Sequence, residues 1–217
     1  MNGLLGIFLL KDFDTFFDNY KSKNTLANEA LLALDNFIST LNEFFDLCDG
    51  LTEEMVGKAK ISWYGYTNIS SSGDYIRAKS MYYNEPSFSD VSINMSEEES
   101  EDYNTYEGAC FGKVFYLTKF YIDKYCKWII TLHILYRQVL MLININIEGY
   151  SSFNLALVQW YDFRYKNDNR RLYKYDCPLL QNTNAYNVVP VESIIELVQV
   201  VQRAEQENEY FVNVYMF

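Results

Sequence analysis

The feature that most constrains the fold is a series of β-branched and aromatic runs that begins near Lys60. The first three runs read ISWYGYTNI, DYIRAKSMYY and SFSDVSINM, and turn-forming residues such as the SSSG of 70–73 separate them. Short runs of this kind, punctuated by turns, are typical of antiparallel strands. An antiparallel meander tends to curl into a barrel or sandwich. The sequence therefore predicts a mainly antiparallel β-domain over 58–217.

The carboxy-terminal half predicts a further hairpin. The runs NLALVQWYDFRYK and RRLYKYDCPLL flank the segment 167–169, whose Asn-Asp-Asn sequence favours a turn. After it, the residues 190–196 fit a helical turn and LVQVV fits a strand. The final EYFVNVYMF predicts a strand that pairs into the sheet, because an unpaired apolar edge promotes aggregation.

The first 57 residues predict helices. The aromatic residues of 13–20 fit a short amphipathic helix, and a longer helix is expected to begin at a cap formed by Asn24 or Thr25 and to end near 50. Thr52 is the expected cap of a third, short helix that ends at Gly57. The predicted fold class is α+β, with a helical amino-terminal segment (1–57) followed by a β-barrel or sandwich (58–217).

The longer helix carries an apolar stripe that allows two interpretations. Its members are spaced 3, 4, 3, 4 and 3 residues apart, and they are Leu31, Leu34, Ile38, Leu41, Phe45 and Cys48. Such a stripe packs on the chain's own core or, in a coiled coil, on a second copy. The run is shorter than the ~3–4 heptads that identify a coiled coil. We favour packing on the core, and the alternative is dimerisation through the first five members of this stripe, Leu31 to Phe45.

The charge of the chain disfavours several partners. Its 29 acidic and 18 basic residues give a formal net charge of −11, whereas binding to phosphates or anionic lipid needs a positive surface. The apolar run Leu4–Leu10 makes a poor signal peptide, and no ~20-residue apolar run exists. We expect an intracellular protein, nuclear or cytoplasmic, that binds no membrane and has a protein partner, with a basic tail as the sharper candidate.

Catalytic and metal-binding patterns are weak. The four cysteines are scattered and His133 is the single histidine, which disfavours zinc and Ser-His or Cys-His chemistry. The acidic run between Glu97 and Glu107 lacks the spacing of a calcium loop and fits a solvated loop. We expect no catalytic residue, no cofactor and no metal. A carboxylate-dependent nuclease is the weakest alternative.

The block Val114–Gln138 interrupts the pattern. Without it, the flanking residues join as EGACFGK-VLMLININIEGYSS, which reads as one regular strand and a turn. The block begins with Val, whose codons begin with GT, and ends with Gln, one of whose codons is CAG. We therefore weigh two hypotheses, a genuine structural insert and a translated intron.

Several segments carry a resemblance to known families. FGKV, LALVQWYDF, YKYDCPLL, VVPVESIIELVQVV and EYFVNVYMF resemble the repeated, uncharacterised, transposon-associated proteins of soil fungi, over about 58–217. The strand order around LALVQWYDF more distantly resembles the bromo-adjacent homology (BAH) domain, a β-barrel of chromatin proteins. These resemblances imply a non-catalytic interaction module that recognises histone tails or assembles complexes on chromatin or mobile elements.

Two groups of residues are candidate binding sites. The first is an aromatic group that could hold a methylated ammonium by cation–π attraction and a carboxylate, and its members are Trp160, Tyr161, Asp162, Phe163, Tyr173 and Tyr175. Strand alternation separates Tyr161 and Phe163 from Trp160 and Asp162, and the alternative is that the rings belong to the core. The second is a basic hairpin tip that suits single-stranded nucleic acid, formed by Arg164, Lys166, Arg170, Arg171 and Lys174. A nucleic-acid-binding accessory of a mobile element is therefore the alternative function.

Overall fold

The chain combines helices with a large curled sheet. A computed structural model describes residues 1–48, 50–69, 72–95, 112–114, 119–120, 133–147, 152–164, 177, 179–204 and 206–213. Within these residues, helices near the amino terminus accompany one mainly antiparallel sheet that curls as a half-barrel. The predicted α+β class is confirmed at this level, and the likeness to the BAH barrel stays a prediction.

The helices are α1 (Phe13–Lys23), α2 (Asn28–Asp46) and α3 (Glu53–Gly57). The strands of the first half are β1 (Asn2–Leu9), β2 (Lys60–Asn68), β3 (Tyr75–Tyr82), β4 (Glu85–Phe88) and β5 (Asp90–Met95). The strands of the second half are β6 (Gly112–Val114), β7 (Lys119–Phe120), β8 (His133–Asn146), β9 (Phe153–Phe163), β10 (Leu179–Pro190), β11 (Ile194–Val198), β12 (Val200–Gln202) and β13 (Tyr210–Val212).

The predicted meander is present and follows strand alternation. Along β2, Ile61, Trp63, Gly65 and Thr67 are buried, whereas the residues that alternate with them are half-buried. This is the period of two that places alternate side chains on opposite faces. β2 pairs with β1, β3 and β8, and β9 lies between β8 and β10. All these pairings are antiparallel. β2–β3, β8–β9 and β9–β10 join successive strands, whereas β1–β2 and β2–β8 join strands that are distant in sequence.

The amino-terminal segment departs from the prediction because it is not wholly helical. Asn2–Leu9 form β1, which pairs along β2 from Asn2 opposite Tyr66 to Leu9 opposite Lys60. The run from Leu4 to Leu10 has no alternating polar residues, so its own pattern does not indicate a strand. Pairing with β2, a strand that is distant in sequence, decides its structure.

The start of α2 was also predicted wrongly. The helix begins at Asn28, its N-cap is Ala27, and no side chain caps it. Asn24 instead closes the preceding helix, since its backbone N–H and its Nδ2 both donate to the carbonyl of Tyr20, at 3.1 and 3.0 Å. The short helix α3 agrees with the prediction, because the Thr52 hydroxyl accepts a hydrogen bond from the Met55 N–H at 3.3 Å.

The apolar stripe of α2 packs on the chain's own core. Leu34, Leu41 and Phe45 are buried, and Leu31 and Ile38 are half-buried against the same cluster. The helix lies on β8, β9 and β10. Each fully buried Leu or Phe contributes roughly 1.5–3 kcal/mol of stability. These contacts support the first interpretation of the stripe; dimerisation through it stays a prediction.

The carboxy-terminal predictions are confirmed in part. A 3-10 turn (Val191–Ser193) follows β10, but residues 194–196, expected in that turn, begin β11, and Gln199 separates β11 from β12 within LVQVV. The final strand β13 pairs with β10 and β12 as expected. Of the block Val114–Gln138, the described residues lie in β6, β7 and the first part of β8. The turn at 167–169 and the acidic run 97–107 lie outside the described residues. The origin of the block stays a hypothesis.

Candidate functional site

The predicted aromatic group lies mainly in the interior. Trp160 is 3% exposed, Tyr161 and Phe163 are equally buried, and Asp162 is half-buried. Trp160 Nε1 donates a hydrogen bond to Asn187 Oδ1 on the neighbouring strand β10. Burial of this kind supports the alternative that these rings belong to the core. A binding role stays a prediction, and its remaining members, Tyr173 and Tyr175, lie outside the described residues.

Strand alternation separates the rings as expected. Tyr161 and Phe163 pack in a small cluster with Leu180, Val198 and Val212, whereas Trp160 belongs to the main core. Burial raises the pKa of the Tyr161 phenol well above its ordinary value, and the negative charge of Asp90 raises it further. Tyr161 is therefore a neutral phenol at physiological pH.

The one described residue of the predicted basic tip has a structural role. Arg164 Nε lies 2.9 Å from Oε1 of Glu209, and Arg203 Nη1 lies 2.5 Å from Oε2 of the same carboxylate. The Glu209 side chain is almost fully buried, so two guanidiniums compensate its desolvation. Arg164 thus stabilises the fold; the rest of the tip, Lys166, Arg170, Arg171 and Lys174, lies outside the described residues.

A different surface brings aromatic side chains, three of them exposed, together with half-buried basic ones. It lies on β2, β3 and the turn that follows β3, and we call it the hairpin patch; it consists of Tyr66, Tyr75, Arg77, Lys79, Tyr82 and Tyr83. In β3 the residues Ile76 and Ala78 are buried, so alternation turns Tyr75 and Arg77 away from the core. Arg77 is directly opposite Tyr66 on β2, which places both on one face.

Cations lie against the tyrosine rings of the patch. The Arg77 guanidinium lies 5.1 Å from the centre of the Tyr82 ring, and Lys79 Nζ lies 5.1 Å from the Tyr66 ring and 6.0 Å from the Tyr82 ring. The Tyr66 and Tyr75 rings are 6.1 Å apart. Cation–π contacts at exposed sites contribute roughly 0.5–1 kcal/mol each. The rings and cations therefore form one connected cluster.

Gly65 helps to position Lys79. A Cβ at this position would lie 2.4 Å from Cε of Lys79 and 3.0 Å from its Cγ, so the lysine stem lies directly on the glycine backbone. The close approach guides the ammonium toward the ring of Tyr66. Lys79 also lines a cavity of about 210 Å³ between Tyr20, Trp63 and Met81, and among the described residues around that cavity it is the charged one.

The turn that ends β3 has an unusual backbone. Tyr82 pairs with Glu85, so Tyr83 and Asn84 are the two central residues, with φ of 49° and 69°. Positive φ at both positions is what a type I′ hairpin requires, and Asn and Gly adopt it most easily. In a bulky residue it costs of order 1–3 kcal/mol. Tyr83 is nevertheless 86% exposed, so little burial of its ring offsets the strain.

Sequence reasoning did not single out this patch. The alternation of Tyr75, Arg77 and Lys79 was visible in DYIRAKSMYY, and so was the Tyr-Asn pair that forms the turn. The same mixture of rings and cations occurs in WYDFR of β9, where it is mostly buried. Exposure, which separates the two, depends on distant parts of the chain.

Other kinds of site are not found in the described part of the chain. No group of three or more His, Cys, Asp or Glu side chains within it could hold a metal ion. Its helices are too short or too polar to cross a lipid bilayer. No protein-family model, curated protein or solved structure matches this chain. The geometry of the described surface is therefore what indicates a function.

Proposed function

We propose that this chain is a non-catalytic protein-interaction module that binds its partner through the hairpin patch. The observation that carries the proposal is Tyr83, a large ring that is 86% exposed on a strained turn. Strained backbone tends to occur at functional sites, where an observed outlier supports a hypothesis of function. Tyr and Arg are also the residue types that most often dominate binding energy in protein interfaces.

The charges of the patch favour one kind of partner. Arg77 and Lys79 already occupy positions over the rings of Tyr82 and Tyr66. An ammonium from a basic tail would meet these cations there, whereas a carboxylate would complement them. The partner is therefore a protein segment that presents carboxylates beside aromatic or aliphatic groups. Binding of a partner's basic tail remains a prediction for other surfaces of this acidic chain.

Single-stranded nucleic acid is the alternative that the same residues suggest, since tyrosines beside cations suit stacked bases and phosphates. The net charge of −11 opposes it, because a polyanion is repelled at long range. Two exposed acids, Asp74 and Glu85, also lie at the ends of the patch strands. We therefore favour a protein. The association with chromatin or mobile elements rests on the sequence resemblance alone.

Crosslinking from the patch tests the proposal. Tyr83 is replaced by a photoreactive benzoylphenylalanine, and the chain is irradiated in extract of its own cells. A matched probe at Leu47, which is 75% exposed near the end of α2, controls for random collision. We expect a discrete protein adduct from position 83. The double variant Arg77→Glu and Lys79→Glu should abolish this adduct.

Each other outcome has a definite meaning. Two results together would establish the nucleic-acid alternative. Nuclease would digest the crosslinked adducts, and the affinity of the chain for a labelled oligothymidine would fall steeply as the salt concentration rises. Equal labelling from positions 83 and 47 would overturn the proposed site. Gly65→Ala provides a milder control, because the added Cβ displaces Lys79 while its charge is kept. We expect it to weaken the adduct less than charge reversal does.

A further inference from the structure

The cavity of about 210 Å³ that Lys79 lines lies between α1 and the sheet, and its walls are largely aromatic and aliphatic. The rings of Tyr20 and Trp63 lie 4.7 Å apart between their centres, and Leu5 and Leu26 also line the cavity. Trp63 is 1% exposed and Tyr20 is half-buried, so the core holds this aromatic wall in place. Ligand sites are usually concave and mostly apolar in this way, with a few polar groups that orient the ligand.

The polar lining of this cavity carries one sign of charge. Lys79 is its charged member among the described residues, and the other polar side chains are the neutral Asn24, Thr25 and Ser80, which can donate hydrogen bonds. The phenol of Tyr20 can donate as well, because burial raises its pKa and keeps it protonated. An ammonium among neutral donors, beside aromatic rings, complements a carboxylate that is attached to an apolar group.

A larger cavity, between α1 and α2, does not select a charge in this way. It measures about 470 Å³, and Lys11, Asp14 and Asp35 all line it, so that both signs are present. Side chains of both signs around one opening favour no single kind of ionic ligand. The chemistry of the smaller cavity is therefore the more specific of the two.

We infer that the cavity of about 210 Å³ binds a small aromatic monocarboxylate, whose ring packs on Tyr20 and Trp63 and whose carboxylate meets Lys79. Its volume exceeds the roughly 150 Å³ that accommodates benzene inside a protein, which leaves room for a ring and its carboxylate. Met81 also lines the cavity and is 54% exposed, and its flexible side chain is suited to covering the ring from the solvent side.

Binding moves the ammonium of Lys79 away from the ring of Tyr66, where it now lies at 5.1 Å from the ring centre. This move is favourable because a charge-assisted hydrogen bond to a carboxylate is stronger than a cation–π contact at a site that solvent reaches. The inference does not depend on which partner the hairpin patch binds.

Titration of the full chain with phenylacetate, followed through the indole N–H signals by NMR, tests the site. The chain has three tryptophans, and the signal of Trp63 is the one that Trp63→Phe removes. We expect this signal to shift saturably, with a Kd of about 0.1–1 mM for a ligand of about ten non-hydrogen atoms. Phenylacetamide, which has nearly the same shape without the charge, should bind at least about tenfold more weakly, and the cationic phenethylamine should bind more weakly still.

Two lysine variants test the charge selection. Lys79→Met keeps the apolar stem and removes the ammonium, so the Kd for phenylacetate should rise at least about tenfold while that for phenylacetamide stays within about twofold. The matched control is Lys21→Met, because Lys21 also lies over a ring, that of Phe17, but does not line this cavity. It should leave the binding of phenylacetate unchanged.

Several results would overturn the inference. A Trp63 signal that does not shift saturably, at phenylacetate concentrations well above the expected Kd, excludes the site. Equal affinities for phenylacetate and phenethylamine, or an unchanged Kd in folded Lys79→Met, would exclude the proposed charge selection. If Arg77→Met weakened the binding of phenylacetate as much as Lys79→Met does, the carboxylate would lie in the hairpin patch instead of the cavity.

Discussion

Two stretches of this chain both mix aromatic rings with charged side chains, and they have opposite positions in the fold. In β9, WYDFR places aromatic rings beside an acid and an arginine; in β3 and its turn, YIRAKSMYY places rings beside two cations. The first lies between β8 and β10 with α2 above the sheet, and its rings are buried. The second lies near the end of the strand order, and most of its rings are open to solvent. Residue types therefore identify side chains that could bind a partner, and the topology of the sheet decides whether those side chains are exposed to it.

The largest expected difference between the two stretches comes from removing a ring. We expect Trp160→Ala to lower the free energy of unfolding by about 3–5 kcal/mol, because it leaves a cavity in the main core. Tyr82→Ala should cost about 1 kcal/mol or less, since it loses a surface contact with Arg77. Urea denaturation of both variants measures the two values. Similar losses would mean that the hairpin patch is part of the core energetics.

Replacement of the arginine should also destabilise the fold more in the buried stretch than in the exposed one. Arg164→Met leaves the buried Glu209 with Arg203 as its remaining guanidinium partner, and we expect a loss of about 2 kcal/mol. The value is below that of a fully buried pair, because Arg164 is partly exposed and solvent screens it. Arg77→Met loses a cation–π contact worth roughly 0.5–1 kcal/mol. Urea midpoints at constant salt provide the comparison, and a larger loss for Arg77→Met would contradict it.

The buried stretch should also make the stability of the fold decrease at alkaline pH. Burial first, and the charge of Asp90 second, raise the pKa of Tyr161 in the folded state. Its contribution to stability is therefore complete below the unfolded pKa of about 10 and is lost as the pH rises through the folded pKa. Above about pH 10, where the unfolded phenol ionises and the folded phenol stays neutral, the free energy of unfolding falls by up to about 1.4 kcal/mol per pH unit.

Urea denaturation between about pH 8 and pH 11 follows this decline. Tyr161→Phe lacks the titrating hydroxyl, and we expect its stability to fall less steeply over the same interval. An unchanged slope in Tyr161→Phe would assign the alkaline sensitivity to other groups.

Local pattern was sufficient for much of the fold. ISWYGYTNI alternates, and it forms a strand whose alternate residues are buried. The spacing of Leu34, Leu41 and Phe45 identifies the buried side of α2. In both cases the periodicity of the backbone itself places the apolar side chains on one face, so the sequence carries the information locally.

The remaining features depended on contacts that are distant in sequence. The run from Leu4 to Leu10 forms β1 because β2 offers it an edge, and Asn24 caps α1 although it also has the side chain to begin α2. The patch was missed for a related reason, since Tyr83-Asn84 forms a turn without the glycine that usually marks one. The burial of the WYDFR rings depends on β8 and β10, which flank them, and on Val198 of β11 and Val212 of β13, and none of its own residues reveals these contacts.

The last expected change has the opposite sign, a gain in stability, and tests the role of Tyr83. Asn adopts positive φ more easily than Tyr, so Tyr83→Asn should stabilise the fold by about 1 kcal/mol while it weakens partner binding. Tyr83→Ala removes the ring but keeps the strain, so it should weaken binding without that gain. Thermal unfolding and crosslinking yield measured together separate the two effects. Lower stability in Tyr83→Asn would show that the contact of its ring with Tyr82, at 4.5 Å, holds the turn. In that case the exposed Tyr83 stabilises the fold through this contact. The strained backbone would then have a structural explanation and would no longer support a binding role.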